Sequence, residues 1–486
     1  MRRWAGIAVW AAIGCAVAAA QVPDGLKPFV KVDAPAVVMV HVRVIDGTGA
    51  PARDDQRVVI ENGKIVSVSA DGGGEPLPTG ATVLDMTGKT VFPGLVGMHE
   101  HLFYPEPDGG PGLLPLYGEM ADSAPRLYLA GGVTAARTAG SVEPYTDISL
   151  KQLIDAGKMP GPKLFLTGPY LEGSPALGPQ LHTLTGPDDA ARLVNYWAAE
   201  GMTSFKAYMH ITPEELKAAI DAAHAHGLKI TGHLCAVGFQ EAAALGIDNL
   251  EHGLVVDTEF TPGKQEGVCP GQRVGQEALA KLDVEGEQIQ GTIRDLIAHH
   301  VAVTSTLAIF ESFAPNRPPM SEEMRVRASL LPDAWGSFMT TRAAIAERAA
   351  EGPAPYLATR MLQMEMQFEH DFVKQGGLLM AGCDPTGYGG VLPGFGDQRN
   401  LELLVEAGFT PEEAIHIATE NGAIWLGEAD HFGTIAAGRD ADLVVVDGNP
   451  ARNIADVEKV DTVYKDGVGY DPEKLIASVH GLMGLR

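Results

Sequence analysis

Five short apolar segments of this chain each end on a side chain able to bind a metal ion, and no other feature restricts its fold as much. The run Val91-Phe92-Pro93-Gly94-Leu95-Val96-Gly97-Met98 leads into His99-Glu100-His101. If that run is a buried strand, residues two apart share a face, so both imidazoles project into one space and Glu100 points away. Two neutral imidazoles aimed at one point make half of a transition-metal site. The pattern recurs downstream: Thr203-Ser204-Phe205-Lys206-Ala207-Tyr208 holds a lysine in a strand-like stretch, and Lys229-Ile230-Thr231-Gly232-His233-Leu234 holds a histidine. Asn249-Leu250-Glu251-His252-Gly253-Leu254 supplies another histidine, and Leu378-Leu379-Met380-Ala381-Gly382-Cys383-Asp384 ends on a carboxylate. Any one of these has an ordinary explanation: a core histidine, a lysine with its head in water, an aspartate capping a turn. Together they do not, because five strand ends would each place a costly polar group at one level of the fold without compensation.

Between about 92 and 430 strand and helix patterns alternate, which argues for parallel βα units. The expected strands are 91–99, 132–139, 162–168, 203–208, 229–234, 249–252, 302–307 and 378–383. Thr212-Pro213-Glu214-Glu215 and Thr410-Pro411-Glu412-Glu413 each offer an N-cap hydroxyl, a first-turn proline and acids at the positive end of a helix dipole. His224-Ala225-His226 falls late in the first of these helices, where residues i and i+2 diverge by roughly 200°, so that pair is structural. His299-His300 is adjacent in sequence at another helix end. Residues 37–91 alternate with β-branched side chains, and Asn62-Gly63 marks a hairpin. The segments 442–447 and 458–465 share that character, so both chain ends are expected to join one small β-sandwich with the βα units inserted between them.

The ordered set His-X-His, Lys, His, His, Asp resembles the amidohydrolase superfamily, and more narrowly its binuclear, imidazolonepropionase-like members, which include metal-dependent dipeptidases and amidases. Two further motifs carry the resemblance: the apolar run before His99, and Gly433-Thr434-Ile435-Ala436-Ala437-Gly438-Arg439-Asp440-Ala441-Asp442-Leu443-Val444-Val445-Val446-Asp447 near the end. Glu100 departs from the small or apolar residue of many relatives. The resemblance implies a (β/α)8 TIM barrel over 92–431, with a β-sandwich built from 21–91 and 432–486. It implies that Lys206 is carbamylated to N6-carboxylysine and bridges two divalent ions, Zn2+ being favoured, with His99, His101 and Asp384 on one and His233 and His252 on the other. A hydroxide held between the two would attack an amide or dipeptide C–N bond, with Asp384 taking its proton and returning it to the departing amine. A cyclic amide, imide or ester cleaved at the same centre, and a barrel that binds a ligand without turnover, are the alternatives.

Around that set, Tyr208 shares the strand face of Lys206, where its phenol could meet a substrate carbonyl, and His182 belongs to the rim after the third strand. Arg325 and Arg327 could bind a substrate carboxylate, although two arginines on a solvated loop usually just meet water. The excursions 257–297 and 309–374 are the expected source of specificity. Met361, Met364, Met366, Phe368 and Phe372 are spaced for packing a helix rather than lining a pocket. The chain carries 62 acidic against 36 basic residues, a formal charge of −26 that repels nucleic acid and anionic membranes. Met1-Arg2-Arg3 and the apolar stretch to Ala20 read as a secretory signal, residues 1–20, with Ala18-Ala19-Ala20 as the cleavage site, so the protein is expected to be secreted or periplasmic. Ile13-Gly14-Cys15 is a partial lipoprotein signal, with Ala12 where leucine is usual. No later segment is long and apolar enough to span a membrane, and a homo-oligomer is compatible with the sequence. Cys235 and Cys383, close to expected ligands, should pack behind the metal site; a disulfide through Cys269 stays open, and no disulfide framework is visible.

Overall fold

The computed structural model describes residues 22–72, 76–105, 116–353 and 356–485. The expected signal segment and Cys15 lie outside the described residues. Eight parallel strands follow one another as expected: β1 (Leu95–Glu100), β2 (Val133–Thr138), β3 (Lys163–Phe165), β4 (Ser204–Ala207), β5 (Lys229–Gly232), β6 (Asn249–Glu251), β7 (Ala302–Ser305) and β8 (Leu379–Ala381). Helices cover the connections, giving an α/β fold. The pairing resolves into a three-stranded sheet, β3-β2-β1, and a five-stranded sheet, β4 to β8 in order, rather than one continuous closed ladder. At one seam Thr167 bridges to Ser204 in parallel, with Gly168 N donating to Ser204 O (2.9 Å). At the other, Asp384 N donates to His99 O (3.0 Å). The close approach there requires glycine: a Cβ on Gly382 would stand 2.3 Å from the His99 nitrogen.

The long apolar run at 91–99 serves two sheets, which corrects the expected first strand. Lys89–Pro93 pairs antiparallel with Leu443–Asp447 in an accessory sheet, and only Leu95–Glu100 joins β2. The switch is at Gly94, whose backbone donates to Asp442 O (2.8 Å) and where any Cβ would collide with Thr134. The accessory strands form a single mixed sheet of nine, built from both chain ends. Its hairpin turns at Asn62-Gly63 with φ of 50° and 78°, the positive values a two-residue turn between right-twisted strands needs. The sheet is clamped beneath β3 by Lys163, whose ammonium meets Asp440 (2.9 Å), Asp442 (2.7 Å) and Asp466 (2.9 Å).

Both expected capping boxes form. Glu215 N donates to Thr212 Oγ1 (3.3 Å) and Thr212 N to Glu215 Oε2 (3.0 Å); Glu413 N donates to Thr410 Oγ1 (3.2 Å) and Thr410 N to Glu413 Oε2 (2.8 Å). His224 and His226 diverge as the helix geometry requires, to Asp248 (3.0 Å) and Asn195 (2.7 Å). All five Met and Phe side chains at 361–372 are buried in the helix Leu357–Lys374, the packing role expected of them, while Met361 also lines a cavity. No helix among the described residues is long and apolar enough to cross a membrane.

Cys235 does not pack behind the strand. It lies beyond the end of β5, where strand alternation no longer applies, and forms a disulfide with Cys269. This staple fastens the excursion after β6 to the loop after β5, helped by Lys264 Nζ donating to Ala236 O (2.6 Å). For a separation of 34 residues the chain-entropy model gives about 3–4 kcal/mol of stabilisation. A Cys269→Ser variant should therefore unfold at lower denaturant concentration than the parent, and dithiothreitol should lower the parent to the same midpoint without moving the variant.

Candidate metal centre

The strand ends bring the expected ligands into one buried cluster. The ring of His99 lies 5.3 Å from that of His101 and 4.4 Å from that of His252, and His252 lies 4.6 Å from His233, centroid to centroid. Asp384 Oδ1 stands 3.7 Å from His99 Nε2 and 3.4 Å from His101 Nε2, and its Oδ2 stands 3.8 Å from His252 Nδ1. Lys206 Nζ is 3.2 Å from His99 Nε2. Four nitrogen donors, a carboxylate and an amine thus converge from β1, β4, β5, β6 and β8. Ligands about 2.1 Å from a tetrahedral Zn2+ are about 3.4 Å from one another, which is the spacing around Asp384 Oδ1.

Local backbone geometry aims the last two ligands. His252 and Asp384 sit just past β6 and β8 with φ of 68° and 48°, in the left-handed region that non-glycine residues avoid. Neighbours hold both turns. Thr306 Oγ1 bonds His252 Nδ1 (2.8 Å), Glu365 accepts from Val255 N (2.8 Å) in the turn that follows, and Thr386 Oγ1 donates to Asp384 Oδ1 (2.9 Å).

Burial sets the charge states. It pushes the imidazoles of His101 and His233 down to about 4 and about 3, so both are neutral donors at physiological pH. Burial also lowers the Lys206 amine to about 8, against the pull of Glu251 and Asp384. For Asp384 burial acts upward, but the surrounding imidazoles outweigh it and hold the carboxyl well below its ordinary value. His233 Nε2 is buried without a hydrogen-bond partner, and His101 turns Nε2 toward Asp384 while its Nδ1 is left unpartnered; an unsatisfied buried imidazole in a ligand cluster fits a metal donor.

Behind the cluster lies a pair that strand periodicity does not disclose. His99 Nδ1 bonds Glu251 Oε2 (2.8 Å), which leaves Nε2 facing the cluster, and Glu251 Oε1 bonds the Arg137 guanidinium (2.7 Å). Both charged side chains are fully buried. Burial raises the Glu251 carboxyl, yet Arg137 and His99 together hold it well below the usual range. An arginine within the apolar stretch of β2 was the available signal. Glu100 faces away as expected: its carboxylate accepts from Cys383 N (3.2 Å) and Sγ (3.1 Å), and burial followed by the charge of Asp397 pushes its pKa up.

The rim residues divide. Tyr208 stands beside the cluster, 5.2 Å from the His233 ring, with no hydrogen-bond partner for its hydroxyl among the described residues. Tyr170, missed in the sequence, packs 4.7 Å from Tyr208 and 6.3 Å from His101. His182 stays apart: it is exposed and its Nε2 bonds Asp189 (2.8 Å) in the first turn of Pro187–Ala199. Arg325 does not face a substrate site either. It is taken up by Glu322 (3.0 Å), Glu458 and Gln398 (2.6 Å), while Arg327 lies over the Trp335 ring.

The amidohydrolase family model matches residues 369–468, a span that contains both Asp384 and the motif ending at Asp447. Over that span the chain is similar to the amidohydrolase family. Solved structures agree in fold: a prolidase-type protein from Bifidobacterium longum is 22% identical with a TM-score of 0.65, covering 93% of this chain and 100% of its own. A Xaa-Pro dipeptidase with bound methionine is 20% identical with a TM-score of 0.65, covering 90% and 100%. The bottromycin amidohydrolase is 19% identical with a TM-score of 0.65, covering 95% of each chain. No curated protein matches this sequence.

The His99–Glu251–Arg137 chain should be a stability element as well as an orienting one. Glu251→Gln strands a buried guanidinium and should cost about 3–5 kcal/mol in urea unfolding. Adding Arg137→Met should restore part of that loss; a double variant no more stable than the single one would refute the pairing.

Proposed function

We propose that this protein is an amidohydrolase, a binuclear metal-dependent enzyme that hydrolyses an amide or peptide C–N bond, acting on a dipeptide or an N-acyl amino acid. The observation that carries this reading is the convergence of His99, His101, Lys206, His233, His252 and Asp384 at the C-terminal ends of five strands. Active sites of β/α barrels lie at that end, and the eight parallel strands support a (β/α)8 barrel over 92–431; the nine-stranded sheet from both chain ends stands where the β-sandwich of 21–91 and 432–486 is proposed.

His99, His101 and Asp384 would hold one cation, and His233 and His252 the other. Lys206 would hold both cations once its neutral amine adds CO2, forming a carbamate and releasing a proton; an amine lowered to about 8 has a usable neutral fraction at physiological pH. Two such ions, Zn2+ suiting this donor set best, supply a polarised carbonyl and a water acidic near neutrality. Asp384 is the proton carrier. Its carboxylate accepts the proton from the attacking water and returns it to the nitrogen that leaves, which an amine leaving group needs. The unpartnered Tyr208 hydroxyl is placed to donate to the substrate carbonyl oxygen. His182, held by Asp189, is left to a contact at the rim. The Cys235–Cys269 pairing supports an oxidising compartment and so a secreted or periplasmic enzyme.

Metal analysis beside an amide-hydrolysis assay tests the reading, which fails if metal-loaded protein cleaves no dipeptide or N-acyl amino acid. Asp384→Asn should lower kcat by about 10²–10⁴-fold with a far smaller change in substrate binding. A near-normal rate would remove Asp384 from proton transfer. Lys206→Ala should lose activity and regain part of it with added short-chain carboxylates, whereas undiminished activity would remove the bridging carbamate.

A further inference from the structure

A cavity of about 660 Å3 adjoins the histidine cluster, walled by the excursions after β6 and β7. One side chain separates it from the centre: Phe310 lines the cavity and lies 5.6 Å, centroid to centroid, from the ring of His252, while Gly387 and Tyr388 enter from the segment just after Asp384. The inner wall is apolar, with Phe310, Ile345 and Met361 buried. The outer wall carries Arg273 and Arg348, both exposed. Among the described residues no aspartate or glutamate lines the cavity, although the chain has 62 acidic residues against 36 basic ones. A cationic lining on so acidic a protein marks the place where an anion is favoured.

The two arginines differ. Arg273 shares its guanidinium with Glu277 at 2.9 Å. Arg348 donates Nε to Ala344 O in its own helix (3.1 Å), and among the described residues no carboxylate pairs with it. Its Nη groups are thus the open charge at the mouth of an apolar chamber. The volume lies within the range that holds drug-sized ligands, well beyond what a glycyl or prolyl residue fills. A substrate that satisfies both walls has a bulky apolar group against Phe310 and Met361 and an anionic group within reach of Arg348.

We infer that this cavity binds the C-terminal residue of the substrate, an amino acid with a large apolar side chain whose free carboxylate pairs with Arg348. The inference rests on the hydrolase reading above for the orientation of the scissile bond. Arg348 is then a specificity-determining residue outside the metal cluster, supplied by the helix Pro332–Glu351.

Binding is measured first on the full-length, metal-loaded protein by ligand-observed NMR competition, with L-phenylalanine, glycine and L-phenylalaninol as probes that undergo no hydrolysis. L-Phenylalanine should bind at least about ten-fold tighter than either of the others, because glycine lacks the ring and phenylalaninol the carboxylate. Arg348→Gln should weaken L-phenylalanine by about 10–100-fold and leave phenylalaninol unchanged, with Arg348→Lys between the two. Equal binding of L-phenylalanine and phenylalaninol, indifference to R348Q, or no binding of L-phenylalanine would overturn the inference. Rates on Ala-Phe and Ala-Gly separate it from the broader reading. Carboxylate-dependent binding without cleavage of any amide overturns the hydrolase and keeps the pocket; cleavage of both dipeptides at equal kcat/KM, unchanged in R348Q, does the reverse.

Discussion

Withdrawal of four imidazoles, an amine and a carboxylate from water into one end of a strand cluster is the constraint on which this molecule's architecture depends. Each donor loses hydration that only a counter-charge or a ligand can replace. The protein supplies part of that replacement itself. Arg137 holds Glu251 as an anion, Glu251 fixes the tautomer of His99, and Thr306 holds the ring of His252 in place. Such outer contacts orient metal-binding histidines, and here they are as deeply buried as the donors. The unpartnered nitrogens of His101 and His233 mark what the protein leaves for something else to satisfy.

The same constraint shapes the backbone. Short strands deliver their ligands at or just past their last residues, and His252 and Asp384 adopt left-handed geometry to turn inward. Rigid strands therefore set the chemistry, whereas the excursions after β6 and β7 set what can approach it. Those excursions are anchored rather than loose, one by the Cys235–Cys269 bond and the other by packing of the helix Leu357–Lys374. A specificity wall fixed in this way presents its arginines in a defined position without borrowing rigidity from the metal ligands.

The cluster was legible because strand alternation is a short-range rule: it places His99 and His101 on one face and Glu100 on the other without reference to the rest of the chain. Partners across the fold were not legible. Nothing local in Thr134-Ala135-Ala136-Arg137 says that the guanidinium will meet Glu251, 114 residues away. The run at 91–99 looked like one strand because its apolar character is continuous, whereas a steric collision at Gly94 divides it between two sheets. Arg325 read as a free loop cation, but its carboxylate partners come from its own helix and from the far end of the chain. His182 was expected at the rim, and only the coordinates show it exposed and paired with Asp189.

The accessory sheet joins Lys89–Pro93 to Leu443–Asp447, strands from opposite ends of the chain. During synthesis the first of these can pair on one side with Ala36–Val44, but its other edge must wait until Leu443–Asp447 has emerged. The βα units can gather in order as they appear, since each new strand finds its predecessor already present. The final ladder, and the grip of Asp440 and Asp442 on Lys163, can form only afterwards. Ribosome-bound chains truncated before residue 443 would thus carry an open strand edge, and this stretch is where a nascent-chain holdase would have the most to protect.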